Sequence, residues 1–159
     1  MGVSGVGKST VGSRLAERLG SPFLDADDFH DPAHMAQMRE GRPLSEAQRR
    51  PWLDRLNAEL RSRVDEGAVL ACSALRRAHR RRLTNEMVGV RFVLLVADPG
   101  LLFARLAERS RGTDERGPGP DLLASQLATL EPPEDAIVAD VALDPERVVD
   151  LVMSELDPG

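Results

Sequence analysis

The chain has 159 residues, of which 42% are hydrophobic and 30% charged, and its formal net charge is −5. That length fits one domain with its own core, and the acidic balance argues against nucleic-acid binding, which usually requires a basic excess. Cys72 is the only cysteine and no apolar run approaches the roughly 18 residues of a membrane span, so we expect a cytoplasmic protein without a disulfide or a membrane partner.

Helical and strand patterns alternate along the chain. Helices are predicted over 7–19, 33–40, 45–65, 74–87, 99–110, 122–130 and 145–156, with a break or kink at Pro51. Strands are predicted over 22–25, 68–72, 90–97 and 137–141. No linker divides these elements, so the sequence predicts one α/β domain over 1–159 with a parallel sheet. The segment 111–121 is charged and then rich in glycine and proline, which predicts a mobile loop.

The N-terminal segment 2–9, GVSGVGKS, matches the phosphate-loop pattern G-x-x-x-x-G-K-[ST] at every fixed position. In such a loop the backbone N–H groups and the following helix N-terminus bind phosphate oxygens, the lysine reaches the β- and γ-phosphates, and the hydroxyl ligates Mg²⁺. Lys8 is the only lysine among 21 basic residues, which favours this interpretation over a chance glycine-rich loop. The candidate ATP-binding residues of the loop are Gly2, Ser4, Gly5, Gly7, Lys8, Ser9 and Thr10.

A phosphate loop normally follows a strand, yet only Met1 precedes Gly2 here. Either translation starts further upstream, which we favour, or the chain lacks a central strand, and then stability and activity would suffer.

Two carboxylates follow the first predicted strand, where ligands collect in open parallel sheets. Asp25 and Asp27 alternate along the chain, so both side chains can face the phosphate loop. We expect Asp25 to hold Mg²⁺ together with Ser9, and Asp27 to accept the proton of a substrate hydroxyl. The alternative is a solvated acidic turn that caps the next helix.

These motifs, with others further along the chain, resemble the small P-loop gluconokinases. The resemblance rests on MGVSGVGKST at 1–10, FLDADDFH at 23–30, GRPL at 41–44, RRPWL at 49–53, CSALRRAHR at 72–80, SQ at 125–126 and LEPP at 130–133. It implies a three-layer αβα sandwich like that of the nucleoside monophosphate kinases, here apparently without the first, central strand. It further implies ATP and Mg²⁺ as cofactors, D-gluconate as the acceptor of the phosphoryl group, and a homodimer.

Gluconate carries a carboxylate, for which arginine offers a bidentate partner. Arg49 and Arg80 occupy matching motif positions, although an arginine on a helix is often only a solvated residue. The predicted substrate-binding residues are Asp27, His30, Arg49, Ser73 and Arg80. Trp52 is expected to pack in the core, His34 and His79 to lie on the surface, and the histidine spacing excludes a zinc site.

Arg105 and Arg109 lie one helical turn apart just before the predicted loop 111–121, which we interpret as a lid over the phosphates. We expect both to bind ATP and Arg109 to act in catalysis with Lys8 and Asp27; the alternative is a solvated helix face. The lid, Glu46, Gln48 and His79 depart from the pattern of the resembled family. A kinase for another small hydroxy acid, such as a shikimate-like one, and a nucleotide-binding protein without activity stay open as alternatives.

Overall fold

The computed structural model describes residues 1–111 and 122–157, and helices and short strands alternate in it as the sequence predicts. The helices are α1 (Lys8–Leu19), α2 (Pro32–Arg39), α3 (Glu46–Arg61), α4 (Arg77–Leu83), α5 (Pro99–Arg111), α6 (Leu123–Thr129) and α7 (Pro145–Leu156). The strands are β1 (Phe23–Asp25), β2 (Val69–Ala71), β3 (Val93–Val96) and β4 (Ile137–Asp140), and a 3₁₀ turn (Ala26–Phe29) follows β1. Among the helices of the described ranges, none is long and apolar enough to cross a membrane.

The four strands form two parallel pairs, β1 with β2 and β3 with β4. Between β2 and β3 lies a cavity of about 420 Å³ lined by apolar residues of both strands and of α1. Met1 occupies one end of this gap, where its carbonyl accepts the Leu95 N–H and its ammonium donates to the Val93 carbonyl. The prediction of a parallel sheet without its central strand is thus confirmed for the part of the chain that the structure describes.

Two hydrophobic cores hold the layers together. The first combines residues of α1, α5 and α7 with those of β3 and β4, among them Leu15, Leu95, Leu102, Leu106, Ile137, Val148 and Val152. The second lies under α3 and α4 and includes Ala26, Trp52, Leu53, Leu56, Cys72 and Leu83. The two cores fix the phosphate loop on one side and the substrate-side helices on the other.

Local structure differs from the sequence predictions around Pro51 and Ala74. Helix α3 continues through Pro51 without the predicted break, because a proline in the second turn removes only one backbone bond while Trp52, Leu53 and Leu56 bury one face of the helix. Helix α4 begins at Arg77 rather than at Ala74, since Ala74 has a φ of 24° and Arg76 is extended. The predicted loop 111–121 lies outside the described residues, except for Arg111, whose backbone ends α5.

Candidate active site

One cleft of about 880 Å³ gathers most of the predicted site residues at the carboxyl ends of β1 and β2. Its lining includes Ser4, Gly5, Gly7, Lys8, Ser9, Thr10, Asp25, Asp27, His30, Arg49, Ser73, Arg105 and Arg109. Gly2 and Arg80 are not part of this lining. The sequence thus located the cleft, and two of its candidate residues need another explanation.

The phosphate loop wraps around the start of α1. Gly5 and Gly7 have φ angles of 85° and 82°, a left-handed backbone that glycine adopts without strain. Helix α1 begins directly after Gly7, so its positive end points at the loop. The Lys8 ammonium donates to the Val3 carbonyl at 3.0 Å, and burial lowers the pKa of Lys8 against the opposing effect of Asp27. This half-buried ammonium at the phosphate loop is positioned to bind an anionic ligand.

Gly2 lies outside the cleft lining and packs against β3, so its predicted contact with ATP stays a prediction. It adopts a φ of 146°, and a β-carbon there would lie 2.7 Å from the Leu95 carbonyl oxygen. The residue therefore lets the loop approach β3 closely.

The Ser9 hydroxyl donates to a carboxylate oxygen of Asp25 at 2.5 Å, which joins the two predicted metal ligands. Hard oxygen ligands of this kind suit Mg²⁺, which keeps several waters and takes its other ligands from substrate phosphates. The residues present therefore fit the cation that the sequence implied. The other oxygen of Asp25 accepts the Asp27 N–H at 3.1 Å, so the same carboxylate also caps the 3₁₀ turn.

Asp27 is an exposed residue that lines the cleft between groups of both signs. Burial is the main cause that raises its pKa, and Asp25 raises it further, whereas Lys8 and Arg109 lower it. A carboxylate with a raised pKa is a better proton acceptor than one with the ordinary pKa. The shift is in the direction expected for the predicted general base.

Arg105 and Arg109 line the cleft from α5. Arg105 donates to the Val141 carbonyl at 3.1 Å, which anchors its guanidinium beside the end of β4. Arg109 lies close enough to Lys8 and Asp27 to lower the pKa of each. Of the pair, Arg109 is the residue that the structure brings to the predicted catalytic groups.

The acceptor side of the cleft contains a ring stack. His30 stacks on Trp52 with ring centroids 4.2 Å apart and an interplanar angle of 10°. Trp52 is buried and donates through its indole N–H to the Ala26 carbonyl at 2.8 Å, which confirms its core position. Burial lowers the pKa of His30 to about 4, so the ring is neutral near pH 7 and can exchange hydrogen bonds with hydroxyls.

The end of β2 contributes Cys72 and Ser73 to the lining. Burial raises the pKa of the Cys72 thiol to about 11, which keeps it protonated and unreactive. Ser73 is the polar group at this position.

The structure corrects two predictions on the substrate side. Arg80 is buried, and its guanidinium donates to the Ala74 and Leu75 carbonyls at 3.2 and 2.9 Å, so it supports the loop after β2 and does not line the cleft. His79 is buried rather than on the surface, and its Nε2 lies 3.2 and 3.0 Å from the two Glu46 oxygens. Arg76, which was not among the sequence candidates, does line the cleft.

Gln126 is a further cleft residue that the sequence did not single out as functional. Its carbonyl oxygen Oε1 accepts the backbone N–H of Ser4 at 2.7 Å, which ties α6 to the phosphate loop across 122 positions of sequence. Only the family motif SQ pointed to this position, since no local spacing could reveal so distant a contact.

Comparison with known proteins agrees with this geometry. A family model described as an AAA domain (AAA_33) matches residues 1–133. The gluconokinase of Gluconobacter oxydans is 40% identical, with 98% of this chain and 86% of that protein covered. That of Arabidopsis thaliana is 38% identical over 96% of this chain and 88% of its own length. The crystal structure of a gluconokinase from Sinorhizobium meliloti superposes with a TM-score of 0.86 at 36% identity, covering 99% of this chain and 89% of that one. The chain therefore belongs to the gluconokinase family of P-loop kinases.

Proposed function

We propose that the chain transfers the γ-phosphoryl group of ATP to the terminal hydroxyl of D-gluconate, giving 6-phosphogluconate and ADP. The observation that carries this proposal is the meeting of Lys8, Asp27 and Arg109 in one cleft whose other side carries arginines. Family membership supports the same acceptor, because the relatives that match are gluconokinases.

The phosphate loop is the natural site for the triphosphate. The turn glycines present backbone N–H groups, and the Lys8 ammonium exchanges the Val3 carbonyl for the β- and γ-phosphate oxygens. Ser9 and Asp25 would hold Mg²⁺, which neutralises phosphate charge when it is bound. Arg109, and Arg105 behind it, add positive charge where the transferred group passes.

Asp27 takes the proton from the acceptor hydroxyl while the hydroxyl oxygen attacks the γ-phosphorus. The bond from that phosphorus to the bridging oxygen breaks, and ADP leaves with the electron pair. His30 and Ser73 line the acceptor side and are suited to hydrogen-bond the sugar-acid hydroxyls. Arg49 supplies a cation for the substrate carboxylate.

A coupled assay that detects ADP release tests the proposal on D-gluconate, other sugar acids, shikimate and the neutral polyol D-glucitol. We expect Mg²⁺-dependent turnover of gluconate, with 6-phosphogluconate as product, and its loss in Lys8→Met. Faster turnover of shikimate or of another acid would assign a different substrate. ATP binding by calorimetry without turnover of any acceptor would leave a nucleotide-binding protein. The homodimer stays a prediction, which sedimentation of the purified chain tests.

A further inference from the structure

A second cluster of charged side chains lies in the same cleft, apart from the groups around Lys8. It consists of Arg49, Glu46, Arg76 and His79, and we call these four residues the anion subsite. Members of this set shift the pKa values of Glu46, Arg49 and His79, whereas the charged groups that shift the pKa of Lys8 are Asp27, Asp25 and Arg109. The cleft therefore has two electrostatic centres.

The anion subsite carries an excess of positive charge. Two guanidinium groups, those of Arg49 and Arg76, face the single carboxylate of Glu46, and the Arg76–Glu46 distance is 3.5 Å. His79 adds no charge at neutral pH, because burial lowers its pKa. One negative charge from a ligand would complete the balance.

His79 and Arg76 fix Glu46 on one side of the subsite. The His79 ring nitrogen lies 3.2 and 3.0 Å from the two Glu46 oxygens, and this hydrogen bond is the main cause that lowers the pKa of Glu46. Arg49 meanwhile donates one N–H to the Leu44 carbonyl at 3.2 Å. In the described part of the chain, Arg49 thus contacts Leu44 and Arg76 contacts Glu46, and a planar guanidinium has further N–H donors for a carboxylate.

We propose that Arg76, together with Arg49, binds the carboxylate of the acceptor and makes the enzyme select a sugar acid over the corresponding neutral polyol. The inference rests on the proposed function and deepens it by naming the residue that reads the acid group. In a linear sugar acid the carboxylate and the terminal hydroxyl lie at opposite ends of the molecule. The anion subsite would therefore hold the sugar acid by its carboxylate, so that its terminal hydroxyl lies toward Asp27.

The test compares kcat/KM for D-gluconate and D-glucitol, which differ in the carboxylate, in the wild-type protein and in three variants. Arg76→Gln should lower kcat/KM for gluconate about tenfold, the lower end for a charge-assisted hydrogen bond at a half-exposed residue. Turnover of glucitol and KM for ATP should not change. Arg76→Lys, which keeps the charge, should recover part of the loss.

Arg77→Gln is the matched control, because Arg77 is the next residue, is also exposed and lies outside the cleft lining. An unchanged gluconate-to-glucitol preference in Arg76→Gln, or an equal loss on both acceptors, would overturn the inference. If the wild-type protein prefers another sugar acid, the proposed function fails, and the same comparison is then made with that acid and its polyol. A wild-type protein that prefers the polyol would overturn the subsite itself.

Discussion

Replacing Gln126 with leucine should remove the acceptor to which the Ser4 amide of the phosphate loop donates in the described part of the chain. Ser4 is 5% exposed, and its backbone N–H donates to Gln126 Oε1 at 2.7 Å. Leucine has a similar size but no acceptor, so the Ser4 N–H stays buried and unpaired, at a cost of about 1–3 kcal/mol. In a domain of this length each kcal/mol lowers Tm by about 2–4 °C, which predicts a decrease of roughly 2–12 °C.

Thermal melting and steady-state kinetics measure the two consequences. Because ATP must bind a correctly formed loop, the same free energy should lower kcat/KM for ATP by about 5- to 150-fold. Gln126→Glu separates the causes, since its carboxylate still accepts the Ser4 N–H but repels the phosphates. We expect this variant to keep its Tm and to show a raised KM for ATP.

Ala128→Leu, on an exposed position of the same helix, controls for the added leucine. A Gln126→Leu protein that melts and binds ATP like the wild type would refute the reasoning, because the Ser4 amide would then have another partner. Equal destabilisation by leucine and glutamate would show that the hydrogen bond is not the source of the effect.

Three further predictions concern the cleft and its support. Asp27→Asn should lower kcat by about 10²–10⁴-fold and remove the acid limb of the pH–rate profile. Its Tm near pH 7 should stay equal or rise, because burial raises the pKa of this carboxyl and disfavours its charge. A lower Tm would contradict this. Gly12→Ala should reduce the free energy of unfolding by about 1–3 kcal/mol in a denaturant titration. The added carbon would lie 2.8 Å from the Phe23 ring, and Phe23→Leu in that background should restore stability. Burial holds the pKa of His79 below its usual value, so the ring gains a proton only as the pH decreases below neutrality. The protonated ring then compensates the charge of Glu46 and leaves both arginines of the anion subsite for the substrate carboxylate. KM for gluconate should therefore fall as the pH decreases. His79→Gln should give a KM without this dependence.

The phosphate side of the site could be predicted from sequence because its geometry is local. Fixed spacing places Lys8 and Ser9 at the start of α1. Asp25 ends β1, and Asp27 follows in the 3₁₀ turn that the Asp25 carboxylate caps, rather than by the strand alternation that the sequence predicted. Each relation spans only a few residues, so chain geometry alone settles it. The contact between Ser9 and Asp25 follows from the parallel sheet.

The substrate side could not be predicted in the same way. Arg76 and Arg80 are four residues apart, and on a continuous helix they would share a face. Arg76 instead precedes α4 in an extended conformation and lines the cleft, while Arg80 turns back to the Ala74 and Leu75 carbonyls. The start of α4 depends on the positive φ of Ala74, which no propensity predicts.

Contacts between residues far apart in the sequence could not be predicted either. His79 lies between arginines in sequence, which suggests a solvated helix, yet its partner Glu46 is 33 residues away. The contact between Gln126 and Ser4 spans most of the chain. Such contacts are set by tertiary packing, and of these residues only Gln126 was indicated beforehand, by the SQ motif of the family.

The contacts of Lys8, Asp27, Ser9 and Asp25 bear on the order of the reaction steps. Lys8 donates to Val3 and lowers the pKa of Asp27, while Ser9 is engaged by Asp25. When a triphosphate occupies the loop, its oxygens take over the charge of Lys8, and Asp27 loses part of the positive field that weakens it as a base. We therefore expect Asp27 to reach its full basicity only with the phosphoryl donor in place. The proton of the acceptor is then removed at the moment when its oxygen has a phosphorus atom to attack.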